Sequence, residues 1–221
     1  MTFSLVVRDG ERFGVAVSSS SPAVAARVAH LRPEVGAAAS QNITDPTLGT
    51  GLLDRLAEHG DAARALADVT GGTRDIDYRQ LTVLGRTGPG YAHSGAHTLG
   101  THASATADGA VAAGNMLAGA HIPDVLLDTY LATAGEMEER LLAALRAAVA
   151  AGGEEGPVRS AGLAVVADVG WRVTDLRVDW ADDPVERLAE LVSVWLPQRD
   201  DYVRRGLDPA SAPSYGVPGD L

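Results

Sequence analysis

The second residue of the chain, Thr2, is a candidate nucleophile. A methionine that precedes threonine is ordinarily removed during maturation, which would leave Thr2 with a free α-amine beside its own hydroxyl. Such an amine has an unperturbed pKa of about 7.7–8.0, so near neutral pH it can accept the hydroxyl proton and activate the oxygen for attack on a carbonyl carbon. Because very many proteins begin with Met-Thr, the alternative is an ordinary chain terminus without a chemical role.

The predicted first hairpin places Thr2 next to the end of a second strand. Phe3–Arg8 and Phe13–Ser18 are rich in β-forming residues, and Asp9-Gly10 favours a tight turn between them. A turn at this dipeptide or one residue later pairs residues whose numbers add up to about 19–21. We therefore expect Thr2 opposite one of residues 17–19.

Polar side chains stand at the ends of several predicted strands. Ser18 and Ser19 end the second strand, as part of a run of four serines. The others are Gln41 and Asn42 after VGAAAS, Arg79 and Gln80 before LTVL, and Asn115 after GAVAAG. Amides and guanidinium groups at such ends can stabilise an oxyanion or bind a substrate carboxylate. The alternative is that each satisfies local backbone groups and that the serines form a turn.

The sequence predicts neither a metal site nor a cofactor. His93 and His97 are four residues apart and His102 follows, but several glycines in this stretch predict strand and loop, where helical spacing has no meaning. No phosphate-binding loop or dinucleotide-binding motif occurs. We interpret the acidic runs as solvated helix ends and loops. These runs are Glu136–Glu139, Glu154-Glu155, Asp182-Asp183 and Asp200-Asp201.

Composition excludes several kinds of chemistry and several partners. All 18 basic residues are arginine, so mechanisms that need a lysine amine are excluded, and the absence of cysteine excludes disulfides and thiolate nucleophiles. The net charge of −11 disfavours binding to nucleic acid or to an anionic membrane surface. The chain start does not resemble a signal peptide, and the apolar stretches are too short to span a membrane. We expect a cytoplasmic protein that acts on a small molecule.

Strand and helix patterns alternate along the chain in a way that suits one layered domain. After the hairpin, the predicted elements are a strand at Val35–Asn42, one or two helices over Leu48–Val69, strands and turns from Tyr78 to Asn115, a helical region at Ile122–Ala151 split near Gly135, strands at Ser160–Ala167 and Trp171–Asp179, and a helix at Pro184–Trp195. This order predicts sheets covered by two layers of helices in a single domain over residues 1–206. Residues 207–221 form a tail rich in Pro, Gly and Ser, expected to be extended unless a partner holds it.

Several segments together resemble a family found in bacteria and archaea, the domain-of-unknown-function family 1028. These segments are MTFSLVVRDGERFGVAVSSSSPAVAARV, VGAAASQN, RQLTVLGRTG, AAGNMLAG, AAGGEEGPVRSAGLAVV, DLRVDWADDPVERLAEL and APSYGVPGD. Members are similar in fold to the Ntn (N-terminal nucleophile) hydrolases, so the resemblance implies an α+β fold, a four-layer αββα sandwich of two antiparallel sheets. It also implies that members are often homodimers.

The same resemblance implies a reaction class by analogy of fold. Thr2 would attack the carbonyl of a small linear or cyclic amide, with Asn115 as a second catalytic residue. The positions expected near this centre for substrate binding are Ser18, Ser19, Gln41, Asn42, Arg79 and Gln80. The chain lacks the lysine that some threonine-type members place near the nucleophile. Two hypotheses stay open: an amidohydrolase, or an inactive scaffold that binds a small metabolite or, through the APSYGVPGD tail, a partner protein.

Overall fold

An antiparallel hairpin at the start of the chain sets the register of the larger sheet. In the computed structural model, which describes residues 1–217, β1 (Thr2–Asp9) pairs with β2 (Arg12–Ser19) so that Phe3 lies opposite Ser18. Gly10 in the turn has a φ of 59°, which glycine adopts without strain. The predicted hairpin is confirmed, and its register brings Thr2 level with Ser19.

The other elements follow in chain order. The strands are β3 (Ala29–Arg32), β4 (Gly36–Asn42), β5 (Arg79–Gly85), β6 (Tyr91–Ser94), β7 (Ala103–Ala107), β8 (Ala110–Asn115), β9 (Ser160–Val166) and β10 (Arg172–Val178). The α-helices are α1 (Ala25–Val28), α2 (Pro46–His59), α3 (Ala62–Gly72), α4 (Ile122–Ala132), α5 (Met137–Ala150) and α6 (Pro184–Leu207), and a short 3₁₀ helix occupies Ile76–Tyr78.

The strands form two antiparallel sheets. The larger has six strands in the order β10-β9-β2-β1-β8-β7, and the smaller has four in the order β3-β4-β5-β6. β1 therefore lies inside its sheet, with β2 on one side and β8 on the other. The first strand of the chain has hydrogen-bonded neighbours on both edges, so its backbone is held along its whole length.

Side-chain alternation along β1 divides the core into layers. Phe3, Leu5 and Val7 belong to an apolar cluster with residues of α4, α5 and α6, whereas Val6 points to the opposite face and packs against the smaller sheet. A third apolar cluster lies between the smaller sheet and α2 and α3. The layer order is thus helix, sheet, sheet, helix. The prediction of an α+β fold built as a four-layer αββα sandwich of two antiparallel sheets is confirmed.

The helices differ from the predicted ones mainly at their ends. Leu48–Val69 contains two helices, α2 and α3, separated at Gly60, which has a φ of 68° and ends α2. The predicted split near Gly135 is confirmed by the gap between α4 and α5. The predicted end of α6 at Trp195 is wrong, because the helix continues through Pro197 to Leu207. Packing of its second half against the body of the protein outweighs the proline.

The described part of the tail folds back onto α6. The Arg205 guanidinium donates to the carbonyl of Pro213 at 3.1 Å and lies over the Tyr215 ring, 4.0 Å from its centroid. The Tyr215 ring meets Tyr202 edge-on at 6.0 Å. The final residues of the predicted tail, 218–221, lie outside the described residues. Within residues 1–217, no helix has the length and apolar character needed to cross a membrane.

A buried ion cluster joins α5 and α6 to the larger sheet. Glu138, in the first turn of α5, is fully buried, accepts the Thr174 hydroxyl at 2.6 Å, and pairs with Arg12 and Arg199 at 3.2 Å each. The interpretation of the Glu136–Glu139 run as solvated is therefore wrong at Glu138. Arg199 lies beyond Pro197, so this cluster explains why the second half of α6 stays helical and attached.

We predict that Glu138→Ala lowers the free energy of unfolding by about 3 kcal/mol, because it removes the buried carboxylate of Arg12 and Arg199 and leaves them only the half-exposed Glu136. Urea denaturation at pH 7 measures this loss. Glu136→Ala is the matched control: its carboxylate is about half exposed (48 %) and pairs with the same arginines, so its loss should cost less than about 1 kcal/mol. Equal losses in the two variants would contradict a special role for the buried carboxylate.

Candidate functional site

At one end of the space between the two sheets, apolar side chains are replaced by buried polar ones. On β1 the face that carries Val6 continues to Ser4 and then to Thr2 at the start of the strand. The neighbouring strands change in the same way at this end. The buried polar residues here, which we name the intersheet polar cluster, are Thr2, Ser4, Ser19, Gln41, Gln80, Thr82 and Asn115. The cluster therefore surrounds the first residue of β1.

A backbone carbonyl fixes the orientation of the buried amides. Nε2 of Gln80 donates to the carbonyl of Gly114 at 2.9 Å, which identifies the other atom, Oε1, as an acceptor. That oxygen accepts from Nε2 of Gln41 at 2.8 Å and from Nδ2 of Asn115 at 3.0 Å. Oε1 of Gln41 accepts the Ser4 hydroxyl at 2.8 Å. The glutamines thus form a fixed network that links the two sheets.

Two atoms of the intersheet polar cluster lack a partner, Oγ1 of Thr82 and an amide oxygen of Asn115. Its Nδ2 is committed to Gln80, and its Oδ1 is buried with no hydrogen-bond partner. An unsatisfied buried polar atom costs about 1–3 kcal/mol, so such atoms are uncommon unless a ligand or a reacting group satisfies them. Asn115 pairs directly with Thr2 across the β1–β8 ladder. The unused oxygen therefore lies next to the candidate nucleophile.

The Thr2 hydroxyl is held by neighbours at the very start of β1. Thr2 is only 6 % exposed, and its Oγ1 lies 3.2 Å from Oγ of Ser19. Both hydroxyls donate to the carbonyl of Met1, and Ser19 also accepts from the backbone N–H of Ser21 at 3.0 Å. The Met1 side chain packs on Gly156, where a Cβ would lie 3.2 Å from its terminal carbon. Met1 therefore fills the space beside Thr2.

Glu154 enters the same region from the loop after α5. Gly152 and Gly153, with φ values of 116° and 58°, turn the chain away from the helix. Glu154 then forms an antiparallel bridge with Leu117, just beyond the end of β8. On its other side, Leu117 donates its N–H to the carbonyl of Thr101. The Glu154 segment thus pairs with the residues just after β8. It does so on the side of that chain on which β1 pairs with β8 itself.

The carboxyl group of Glu154 is buried and lacks hydrogen bonds of good geometry. Glu154 is 4 % exposed, and neither of its side-chain oxygens has a partner. Burial raises the pKa of Glu154 from 4.5 to about 7, while the nearby Ser20 and the amine at the start of the chain act in the opposite direction. The interpretation of Glu154-Glu155 as a solvated pair is wrong for Glu154, whereas Glu155 is exposed.

The sequence of the chain matches a known protein family. A family model described as "Family of unknown function (DUF1028)" matches residues 2–188. The chain belongs to this family. No curated protein matches the chain significantly. The matched segment includes Thr2, the intersheet polar cluster and Glu154.

Solved structures similar to this DUF1028 chain include one of the same family. Protein SPO2555 from Silicibacter pomeroyi, described as DUF1028, is 27 % identical with a TM-score of 0.85, and the match covers 92 % of this chain and 90 % of that one. Eukaryotic HslV from Trypanosoma brucei is 16 % identical with a TM-score of 0.48, and the match covers 75 % of this chain and 99 % of that one. The likeness to SPO2555 extends over nearly the whole fold described above.

The structure brings some predicted site residues of this DUF1028 chain together and separates others. Thr2, Ser19, Gln41, Gln80 and Asn115 all belong to the intersheet polar cluster. The remaining three are placed elsewhere: Ser18 donates to the carbonyl of Ser160 at 3.0 Å, Asn42 donates to the carbonyl of Tyr78 at 2.7 Å, and Arg79 donates to the carbonyl of Ile43. These three bind backbone carbonyls, the alternative role considered from the sequence.

The predicted histidines follow the expected strand and loop positions. His93 lies on β6, and His97 and His102 lie in the segment between β6 and β7. In the part of the chain that the structure describes, no group of three or more His, Asp or Glu side chains is arranged to hold a metal ion. The side chains of the intersheet polar cluster carry hydroxyl and amide groups.

We predict that stability depends on pH through Glu154. Its folded-state pKa of about 7 exceeds the ordinary value of 4.5, so its contribution is fully present below about pH 4.5 and is lost as the pH rises through 7. The chain that retains Met1 should lose up to about 1.4 kcal/mol per pH unit between pH 4.5 and pH 7, relative to the same chain with Glu154→Gln. Urea denaturation from pH 5 to pH 8 measures the difference, with the exposed Glu155→Gln as control. A difference that does not grow with pH would contradict burial of the free acid.

Proposed function

We propose that this DUF1028 protein is an amidohydrolase that cleaves the C–N bond of a small linear or cyclic amide with Thr2 as its nucleophile. The observation that carries the proposal is the place of Thr2, buried at the start of an interior strand with its hydroxyl in contact with Ser19. Chain termini are usually solvated and frayed. A threonine next to the chain terminus that is held by hydrogen bonds in a polar cluster gains little apolar packing, which supports a chemical role.

Removal of Met1 would supply the base for this reaction. The Thr2 α-amine accepts the hydroxyl proton while Oγ1 bonds to the substrate carbonyl carbon, which gives a tetrahedral intermediate. The C–N bond then breaks as the ammonium group returns the proton to the departing nitrogen, leaving an ester on Thr2. Water gives a proton to the same amine and attacks the ester. The carboxylic acid leaves, and the Thr2 hydroxyl regains its proton.

Ser19 and Asn115 suit distinct tasks in this scheme. In the structure the Ser19 hydroxyl donates to the carbonyl of Met1 next to Thr2 Oγ1, and we assign it the same bond to the substrate oxygen. Oδ1 of Asn115 can only accept, so it suits an N–H of the substrate or of the Thr2 amine. Gln41 and Gln80 hold Asn115 in place. Substrate contact by the three residues outside the cluster remains a prediction.

A second candidate function is binding of a small metabolite without turnover. It is favoured by one observation: Met1 fills the space beside Thr2, and its carbonyl accepts hydrogen bonds from the two hydroxyls that the reaction needs. With Met1 in place the α-amine is on the wrong residue. The state of the first peptide bond therefore separates the two functions.

We predict that the protein purified from its own host lacks Met1. Intact-mass spectrometry measures this, and the mature chain should weigh less than the full sequence by one methionine residue. Quantitative retention of Met1 would exclude the amidohydrolase and leave the binding function, because Thr2 would then have no free amine.

We further predict that Thr2→Ala abolishes reaction with a β-lactone, whose ring a nucleophilic hydroxyl opens to form an ester. Mass spectrometry of the N-terminal peptide detects the adduct in the wild type, and Thr2→Ser should retain it because the hydroxyl and amine remain. Thr106→Ala, an exposed threonine on β7 of the same sheet, is the matched control and should react like the wild type. The midpoint of thermal unfolding should stay nearly unchanged in Thr2→Ala. An adduct that persists in this variant would exclude Thr2 as the nucleophile.

A further inference from the structure

Two segments near the start of β1 carry buried hydrogen-bond acceptors without partners. Oδ1 of Asn115 and both carboxyl oxygens of Glu154 are buried without partners. Asn115 pairs with Thr2 in the ladder, and Glu154 bridges Leu117 two residues further along. Ser20 is the nearby donor to Glu154, and these acceptors have room for a further donor group such as an amine, which in its charged form has three donor hydrogens and no acceptor.

The Thr2 amine of the mature chain would occupy this region. Removal of Met1 creates the amine at the bond that joined Met1 to Thr2, so the amine faces the space that Met1 leaves. That space is bordered by the loop after α5, since the Met1 side chain packs on Gly156. Glu154 also lies close enough to the amine of Met1 to interact with it electrostatically. One residue of strand spans about 3.3 Å, so the new amine stays within reach of the loop.

We propose that Glu154 is a positioning residue whose carboxylate accepts a hydrogen bond from the Thr2 amine and orients that amine toward the Thr2 hydroxyl. This inference rests on the proposed function, because it needs Thr2 to be the first residue. The carboxylate and Asn115 Oδ1 would together bind two of the amine hydrogens. The nitrogen lone pair of the neutral amine is then left for the hydroxyl proton. Glu154 does not touch the substrate and acts only through the amine.

The composition of the chain allows a direct test on the amine. Because every basic residue is arginine, the α-amine is the only primary amine in the chain. Its pKa can therefore be read from the pH dependence of labelling by acetic anhydride, detected by intact mass. The chain should be prepared with Thr2 as its first residue, by proteolytic removal of a fusion partner that ends directly before Thr2. This preparation makes the test independent of natural processing of Met1.

We expect Glu154→Gln to lower the pKa of the amine by about one unit or more, because a carboxylate within hydrogen-bond distance favours the charged amine. Glu154→Asp keeps the charge and should restore most of the shift. Glu155→Gln, the exposed neighbour, should leave the pKa unchanged. An amine pKa that is the same in Glu154→Gln and in the wild type would overturn the inference.

Acylation by the β-lactone gives the second measurement. At a pH where the amine is neutral in all variants, the acylation rate should fall about tenfold or more in Glu154→Gln and recover partly in Glu154→Asp, as expected when a base is misaligned. A wild type that never acylates while its amine pKa still responds to Glu154 would exclude the amidohydrolase but leave the contact. Acylation at equal rates in wild type and Glu154→Gln would overturn the positioning role and leave the proposed function intact.

Discussion

The backbone ladder on both edges of β1 is the constraint on which the site depends. A strand that begins a chain is free to fray at an edge, but β1 is bonded to β2 and β8 from its second residue onward. This holds Thr2 at a fixed depth between the sheets. The side-chain alternation of the same strand then directs Thr2, Ser4 and Val6 toward the smaller sheet. The second residue of the chain thereby acquires the fixed surroundings of a core residue.

The intersheet polar cluster transmits this order from one sheet to the other. Gln41 and Gln80 belong to the smaller sheet, yet they bond to Ser4, Asn115 and a backbone carbonyl of the larger one. Buried amides are costly when unpaired, so a network satisfied at nearly every atom resists sliding between the sheets. Sliding would break several bonds at once. The unpaired amide oxygen, Oδ1 of Asn115, therefore keeps a fixed position, because the Nδ2 of the same amide is bonded to Gln80.

Much of the fold could be predicted from local sequence patterns, namely turn dipeptides and the spacing of apolar residues in strands and helices. The hairpin followed from Asp9-Gly10 and two β-rich segments, and the four layers followed from the order of strands and helices together with the family resemblance. The end of α6 could not be predicted, because Pro197 is a local stop signal that the distant partners of Arg199 overcome. Local sequence does not report such tertiary contacts.

The candidate site was predicted less completely, for two physical reasons. The sequence allowed two positions for the hairpin turn, so the pairing register was not determined. A shift of one residue in the register exchanges the sheet faces on which Ser18 and Ser19 lie. Only Ser19 shares the face of Thr2. Glu154 was missed because it stands beside an exposed glutamate after two glycines, a pattern typical of a solvated helix end. Its burial depends on a bridge to Leu117, which lies far away in sequence.

The two glycines that follow α5 determine where the Glu154 side chain lies. Gly152 and Gly153 adopt left-handed backbone angles that other residues tolerate poorly, and the chain leaves the helix in the direction of the sheet because of them. A methyl group added at either position would redirect the loop and shift the acid that follows. The location of a buried acid beyond the end of β8 is thus specified by two residues that carry no functional group at all.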